Sequence, residues 1–202
     1  MSGGGVALLS VDLQRDFLHP DGAYARGGLA SPELAALPER VAPVVAAGRR
    51  LGVPFVSAQF TIVTVPGRDP PIAPHLLEHR PFLREGDFAP GCWGNALMEP
   101  LGPADVVVEK VAYSAFHQTR LEWVLRGLDV RRLVVCGIVT NGGVASTVRD
   151  AHLRGIEVAL LTDGCAAFDP AVHDATLVSL GGVTEQIACA EAPDALRRLV
   201  VR

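Results

Sequence analysis

The sequence predicts a three-layer α/β/α fold around a central, mostly parallel sheet of six strands. Six short apolar segments alternate along the chain with segments of helical spacing, which implies right-handed crossovers between parallel strands. Hydrophobic residues make up 49% of the 202 residues but aromatic residues only 5%, so Val, Leu, Ala and Ile must fill the core, as in sheets covered on both faces. No internal repeat or linker divides the chain, and we predict a single domain over residues 1–202.

The first part of the chain holds two predicted strands and one long helix. Residues 6–11 form an apolar run, rich in β-forming residues, that ends at Asp12. Ser31 is a typical helix N-cap followed by a first-turn proline, and the apolar residues after it keep helical spacing until Gly52. The second strand is predicted over residues 53–58.

The rest of the chain continues this alternation after a long irregular segment. Residues 60–104 contain many prolines and glycines without a sustained period, and a segment of this length is typical of a functional cover over a site. The elements predicted after it are strands over 105–110, 133–138, 156–161 and 185–189 and helices over 119–128, 142–154, 170–180 and 193–200.

Charge and composition argue against several classes of protein. The formal net charge is −4, without the basic stripe that nucleic-acid binding requires, so we expect no nucleic-acid partner. No apolar stretch has membrane-spanning length and the first residues lack the pattern of a signal peptide, so we expect no membrane partner. The four cysteines show no C-x-x-C pair and no zinc spacing, which indicates mostly buried thiols in a reducing cytoplasm.

Polar residues stand at the ends of several predicted strands. Asp12, Gln59 and Lys110 lie at or just past strand ends, and Gly137 lies in a strand that leads into a glycine-rich turn. Parallel α/β sheets bind ligands in the crevice outside the carboxyl ends of their strands. We therefore expect a carboxylate, an amide, an ammonium group and a helix N-terminus to face one crevice.

Three motifs at these strand ends resemble those of the isochorismatase-like hydrolases, within the cysteine hydrolase superfamily. Residues 8–17 read LLSVDLQRDF, residues 108–116 read VEKVAYSAF, and residues 136–151 read CGIVTNGGVASTVRDA. The resemblance implies the family's Rossmann-like α/β fold and a hydrolase activity. It also implies a small-molecule substrate, no cofactor, and assembly as a homodimer or homotetramer.

The same motifs contain a departure from the family. Cysteine hydrolases of this family carry their nucleophile where Gly143 stands, and Cys136 lies within a predicted strand. True isochorismatases resemble this chain in having glycine there, and they hydrolyse a vinyl ether without a covalent intermediate. Val139 stands where those enzymes carry a tyrosine that contacts substrate. Metal-binding members have an aspartate and two histidines after the second strand, whereas residues 59–62 read QFTI, so we predict no catalytic metal.

The resemblance assigns roles to individual residues. Asp12 is expected to be the general acid/base, with Lys110 holding it, and the catalytic set includes Gly143. The N–H groups of Val139 and Gly143 are expected to stabilise an oxyanion, after a cis peptide bond between Ile138 and Val139. The residues expected to contact substrate are Phe17, Gln59, Arg68, Tyr113, Val139, Asn141 and Gly142.

These assignments predict the hydrolysis of a small anionic metabolite by acid/base catalysis without a covalent cysteine intermediate. Vinyl-ether hydrolysis is the preferred reaction. There are two alternatives. The first is an amide or ureido hydrolase that uses water activated by Asp12, and the second is a ligand-binding protein without activity. Each residue also has a structural interpretation: Asp12 as the cap of a turn, Lys110, Gln59 and Arg68 as surface residues, Phe17 as core, and Gly142–Gly143 as a turn that needs flexible backbone. All six histidines are expected to be non-catalytic.

Overall fold

The computed structural model describes residues 5–64, 67 and 72–200. A sheet of six strands in the order β3-β2-β1-β4-β5-β6 forms its centre, and every neighbouring pair is parallel. The strands are β1 (Val6–Val11), β2 (Phe55–Phe60), β3 (Val106–Lys110), β4 (Arg132–Ile138), β5 (Glu157–Ala166) and β6 (Glu185–Ile187). The predicted fold class is therefore confirmed. The strand order reverses between β1 and β4, which is where such sheets open a crevice for ligands.

Helices cover both faces of the sheet. They are α1 (Arg15–Leu18), α2 (Ala23–Arg26), α3 (Pro32–Ala35), α4 (Leu37–Arg50), α5 (Pro74–His79), α6 (Leu121–Gly127), α7 (Ala145–Leu153), α8 (Pro170–Leu180) and α9 (Ala192–Val200). Val41 of α4 and Leu196 of α9 belong to the core on one face, whereas Leu125 of α6 and Val148 of α7 belong to the core on the other. None of the helices in the described residues is long and apolar enough to cross a membrane.

Prolines account for two differences from the expected boundaries. The helix expected from Ser31 to Gly52 is two helices, α3 and α4, because Pro38 has no N–H to donate to a carbonyl four residues earlier and its ring crowds that position. The strand expected to begin at residue 53 begins after Pro54, and it continues to Phe60. The helix expected from residue 142 begins at Ala145, after a π-helical turn over Thr140–Val144.

The described part of the irregular segment packs beside the ends of β1 and β2. It contributes α5 and a short 3-10 turn, Glu99–Leu101, and it has a small apolar core of its own. Phe88 is fully buried in this core against the rings of Phe17, Tyr24 and Phe60. We name residues 72–98 the cover segment.

Gly137 brings the end of β4 against β1. Its φ of 132° is a conformation that other residues rarely adopt, and the register between β4 and β5 shifts between Val135 and Gly137. A Cβ at this position would overlap the backbone of Val11, the last residue of β1. The turn that follows β4 can therefore approach Asp12 only because residue 137 has no side chain.

Replacing Gly137 by Ala should destabilise the protein by about 3 kcal/mol or more, because strained backbone and steric overlap add. Gly182→Ala is the matched control, since a Cβ there meets nothing within 4 Å, and it should change stability by less than about 0.5 kcal/mol. Urea unfolding of both variants measures the difference. Equal stability of the two variants would contradict this account of Gly137.

Candidate active site

A cavity of about 510 Å³ opens at the carboxyl ends of the strands. This volume lies within the range of small-molecule sites, which are about 300–1,000 Å³. Residues at or just after the ends of five strands line it: Asp12 after β1, Phe60 in β2, Lys110 in β3, Ile138 in β4 and Ala167 after β5. The crevice expected from the strand-end rule is therefore present, and it combines polar groups with an apolar wall.

Asp12 and Lys110 form a buried ion pair in this cavity. The Lys110 Nζ lies 2.7 Å from the Asp12 Oδ2, and only 2% of Lys110 and 6% of Asp12 are exposed. The ammonium group also donates to the Ala112 carbonyl oxygen at 3.0 Å, and it lies 5.5 Å from the ring centroid of Phe60. Since Lys110 is buried at a strand end and paired, the surface interpretation of this lysine is wrong.

The backbone around Asp12 sets the direction of its carboxylate. Asp12 has a φ of 59°, a left-handed conformation that aspartate adopts more readily than most residues. Its N–H continues the strand pairing by donating to the Ala58 carbonyl at 2.9 Å, while its Oδ1 accepts a hydrogen bond from the Phe60 N–H at 3.0 Å. The carboxylate is thus held at both oxygens, by Lys110 on one and by backbone on the other.

Burial and the neighbouring charge act on Asp12 in opposite directions. Burial disfavours the ionised carboxylate and raises the pKa of Asp12 above its ordinary value of 3.8. The positive charge and hydrogen bond of Lys110, and the hydrogen bond from Phe60, lower the pKa and only partly offset that effect. Asp12 is therefore a stronger base than an exposed aspartate.

The turn after β4 forms the wall opposite Lys110. The peptide bond between Ile138 and Val139 is cis, as the resemblance implies, and the N–H of Val139 has no hydrogen-bond acceptor in the described part of the chain. A Cβ built on Gly143 would lie 3.1 Å from the Asp12 Oδ2 and 3.0 Å from the Ile138 carbonyl oxygen. Position 143 therefore faces the carboxylate directly.

Thr147, which sequence reasoning did not select, fixes this turn to the neighbouring loop. Its hydroxyl donates to the Gly143 carbonyl at 2.7 Å and accepts from the Ala115 N–H at 2.9 Å. Thr140, also fully buried, shares a 2.7 Å hydrogen bond with the Nδ1 of His173 in α8. The Thr147 contacts connect the second and third sequence motifs in space, and the Thr140 bond attaches the turn to α8.

Aromatic rings form much of the remaining wall. Phe17, Tyr24, Phe60, Tyr113 and Phe168 all line the cavity. The rings of Tyr24 and Phe168 stack with centroids 5.8 Å apart, and Phe17 contacts Tyr24 at 4.8 Å. A ligand at this wall is therefore held mainly by apolar and aromatic contact.

The structure brings most of the sequence-selected residues together. Besides Asp12, Lys110 and Gly143, the cavity lining includes Phe17, Tyr113, Val139 and Asn141. Gly142 is not part of the lining, because it sits behind Val139 and Tyr113, where its Cβ would contact both side chains. Arg68 lies outside the described residues.

Gln59 is not brought to the cavity. Its Nε2 donates to the Ser57 Oγ at 3.4 Å, and Phe60, not Gln59, lines the site. Side chains alternate along a strand, so Gln59 shares the sheet face of Phe55, which packs on the α4 side. The expectation that Gln59 contacts substrate therefore receives no support from the structure.

Many of the lining residues were missed by the sequence reasoning, among them four with polar side chains. Tyr24, His75, His79 and Arg80 all line the cavity. Three of them lie in the cover segment, where no periodicity or motif distinguishes them from surface residues.

No cysteine is among the described residues that line the cavity. Cys136, Cys165 and Cys189 are buried and Cys92 is exposed, so the expected burial is confirmed for three of the four thiols. Burial raises the pKa of the Cys136 and Cys165 thiols well above the ordinary value, which keeps them in the unreactive thiol form. Across residues 5–64, 67 and 72–200, no group of three or more His, Cys, Asp or Glu is arranged to hold a metal ion.

Comparisons with known proteins agree with this architecture. The profile of the isochorismatase domain family matches residues 6–192. A ureidoacrylate amidohydrolase of Methylorubrum extorquens is 31% identical over 188 residues, which cover 84% of this chain and 73% of that protein. A cysteine hydrolase from Pseudomonas syringae pv. phaseolicola superposes with a TM-score of 0.83, 27% identity, and coverage of 98% of this chain and 95% of that one. An N-carbamoylsarcosine amidase from Thermoplasma acidophilum gives a TM-score of 0.70, 27% identity, and coverage of 91% and 96%.

The Asp12–Lys110 pair should behave as a strongly coupled unit in stability measurements. Asp12→Asn and Lys110→Met should each cost about 3–5 kcal/mol, because each leaves the other charge buried without its partner. The double variant should cost clearly less than the sum of the two. Urea unfolding of the four proteins at neutral pH gives the coupling energy, and additivity within about 0.5 kcal/mol would show that the two groups do not interact.

Proposed function

The chain belongs to the isochorismatase family, and from that premise we propose that it hydrolyses an amide or ureido C–N bond with a water molecule activated by Asp12. The observation that carries this proposal is the position of the Asp12 carboxylate. It is buried, paired with Lys110 and directed at position 143. Because glycine has no side chain that could act as a nucleophile, a water molecule must attack the substrate. None of the described residues lining the cavity offers a thiol to take that role.

The names of the relatives favour C–N hydrolysis. One is named a ureidoacrylate amidohydrolase and another an N-carbamoylsarcosine amidase, and both names state amide hydrolysis. Neither is named for vinyl-ether hydrolysis, the reaction that the sequence alone favoured. The alternative from the sequence, a ureido or amide hydrolase without a thiol nucleophile, therefore becomes the leading proposal.

The proposed reaction begins with a water molecule beside Asp12 and Gly143. The water oxygen bonds to the carbonyl carbon of the substrate while one of its protons passes to the Asp12 carboxylate. The electron pair of the C=O bond moves onto the carbonyl oxygen, and the N–H groups of Val139 and Gly143 donate hydrogen bonds to that oxyanion. Loss of one such donor in other enzymes costs about 3–4 kcal/mol.

The second half of the reaction restores Asp12. The oxyanion collapses, the C–N bond breaks, and the proton held by Asp12 passes to the leaving nitrogen. The products are ammonia or an amine and a carboxylic or carbamic acid, so one water is consumed for each C–N bond broken. Lys110 keeps Asp12 in place through the cycle and balances the negative charge when the carboxylate is ionised.

One feature of the site supports this role for Asp12. Its raised pKa makes it a better proton acceptor than an exposed aspartate, and general bases work best when their pKa approaches the working pH. Vinyl-ether hydrolysis would need the opposite form, a protonated Asp12 that donates to carbon. The glycine at position 143 is compatible with both reactions, so the two must be distinguished by their dependence on pH.

The pH profile should identify the active form of Asp12. A general base is competent only when ionised, so kcat/KM for a ureido substrate should rise tenfold per pH unit up to the pKa of Asp12, which lies above 3.8, and then level off. Asp12→Asn should lower kcat by a factor of about 10² to 10⁴, with a folded protein by circular dichroism. A rate that falls with rising pH through the same region would indicate acid catalysis and favour vinyl-ether hydrolysis. Absence of turnover on ureido compounds, amides and vinyl ethers alike would favour the ligand-binding alternative.

A cysteine introduced at position 143 should be accommodated by the fold, and its thiol should be reactive. In Gly143→Cys the new Cβ meets Asp12 and Ile138 at 3.0–3.1 Å, so the neighbours must move by a few tenths of an ångström. We expect the thiol to be alkylated by iodoacetamide, to form an acyl adduct with an activated ester, and to slow the water-dependent reaction.

The wild-type enzyme provides the control for this variant. Its exposed Cys92 should be alkylated without loss of activity, because it is not part of the cavity lining. Mass spectrometry identifies the modified residue in each protein. An unreactive thiol at position 143 together with unchanged hydrolysis would remove this position from the site.

A further inference from the structure

Arg80 is a charged residue of the cavity that the proposed chemistry does not use. It follows α5 at the start of an irregular stretch, is half-buried, and lines the same cavity as Asp12. Its Nε donates a 2.7 Å hydrogen bond to the Tyr24 hydroxyl, and Tyr113 lines the same cavity. The Tyr24 phenol therefore fixes the guanidinium group at the cavity wall.

In the described part of the chain, no carboxylate balances the positive charge of Arg80. Among the ion pairs of residues 5–64, 67 and 72–200, none includes this arginine. Tyr24 orients the guanidinium but is neutral, since burial raises the pKa of Tyr24 above its ordinary value. An arginine has five N–H donors, and Tyr24 occupies only the one on Nε.

The other charged groups of the lining are already engaged. Lys110 and Asp12 neutralise each other, and the carboxylate of Asp169 caps α8 by accepting the Ala171 N–H at 2.8 Å. The cavity wall is otherwise largely apolar and aromatic, which strengthens the attraction between a fixed cation and an anionic ligand. Arg80 is therefore a cation of the described lining that has no ion-pair partner, while Asp169 keeps its own negative charge in the same cavity.

We propose that Arg80 binds a carboxylate of the substrate through its terminal nitrogens, with the Tyr24 hydroxyl holding the guanidinium in place at Nε. A planar carboxylate matches two parallel N–H groups of a guanidinium, a geometry that lysine cannot provide. The substrate would then span the cavity, with its carboxylate at Arg80 and its hydrolysed bond at Asp12. Only the assignment of that second end rests on the proposed function.

Binding measurements on matched ligands test the proposal without requiring turnover. The probes are 3-ureidopropionate and benzoate, each paired with its neutral primary amide, titrated calorimetrically into protein that carries Asp12→Asn together with Lys110→Met, so that no probe is consumed and no unpaired lysine charge remains in the cavity. We expect that Arg80→Gln weakens binding of both carboxylates by about tenfold to a hundredfold and of both amides by less than about threefold. Arg80→Lys should recover only part of the loss, and Tyr24→Phe should give an intermediate loss.

Arg84→Gln is the matched control. Arg84 lies four residues further along the same segment, with an exposed side chain outside the cavity lining, and its replacement should leave all four affinities unchanged. Thermal unfolding of each variant shows whether Arg80→Gln is folded, and if it is not, Arg80→Lys and Tyr24→Phe carry the comparison of acid with amide.

The outcomes separate this inference from the proposed function. In one outcome, carboxylate binding depends on Arg80 while the protein with Asp12 intact hydrolyses neither ureido compounds nor amides. That result would support carboxylate binding by Arg80 and refute the proposed reaction. Hydrolysis of ureido compounds with equal effects of Arg80→Gln on acid and amide would uphold the reaction and overturn the inference. Absence of saturable binding of both carboxylates at millimolar concentration would also overturn it.

Discussion

The buried ion pair between Asp12 and Lys110 is the interaction on which the organisation of the site depends. Moving two charges from water into a protein costs several kcal/mol for each, and close pairing repays that cost only when the remaining hydrogen bonds are also satisfied. Here the Phe60 N–H and the Ala112 carbonyl supply those bonds. Because β2 lies between β1 and β3, Lys110 must reach past Phe60, and the three strand ends become fixed relative to one another.

Buried polar side chains, more than secondary structure, attach the cover segment to the sheet. Asp16 accepts hydrogen bonds from the Ala23 and Phe88 N–H groups, and Asn95 donates to the Phe60 and Phe88 carbonyls. Gly94 lies directly against the Asp16 carboxylate, where a Cβ would overlap it. These hydrogen bonds join residues up to 72 apart in sequence, and they hold the cover segment, which contains Arg80, beside the sheet. Such a network cannot be recognised from local pattern.

This difference explains which features could be predicted from the sequence. The strands were recognisable because burial on both faces leaves an almost continuous apolar run, and Asp12 and Lys110 because a parallel sheet collects its strand ends at one edge. The strand-end rule predicts at which edge of the sheet a residue lies, but not on which face its side chain lies. It therefore selected Gln59, whose side chain lies on the other face of β2 because side chains alternate along a strand. Arg80 and Tyr24 acquire their place only through packing between distant irregular segments, and no spacing along the chain encodes that contact.

Gly137 near the end of β4 and Gly143 in the turn after it show why the missing side chain at position 143 affects chemistry more than folding. Gly137 has a φ of 132° and no room for a Cβ, so the backbone itself requires glycine there. Gly143 is not among the residues with positive φ, and a Cβ on it would be tight without overlapping its neighbours. The fold therefore does not demand glycine at position 143. What a side chain there would change is the space beside the Asp12 carboxylate, which is the space that an attacking water and the carbonyl carbon of a substrate would have to share.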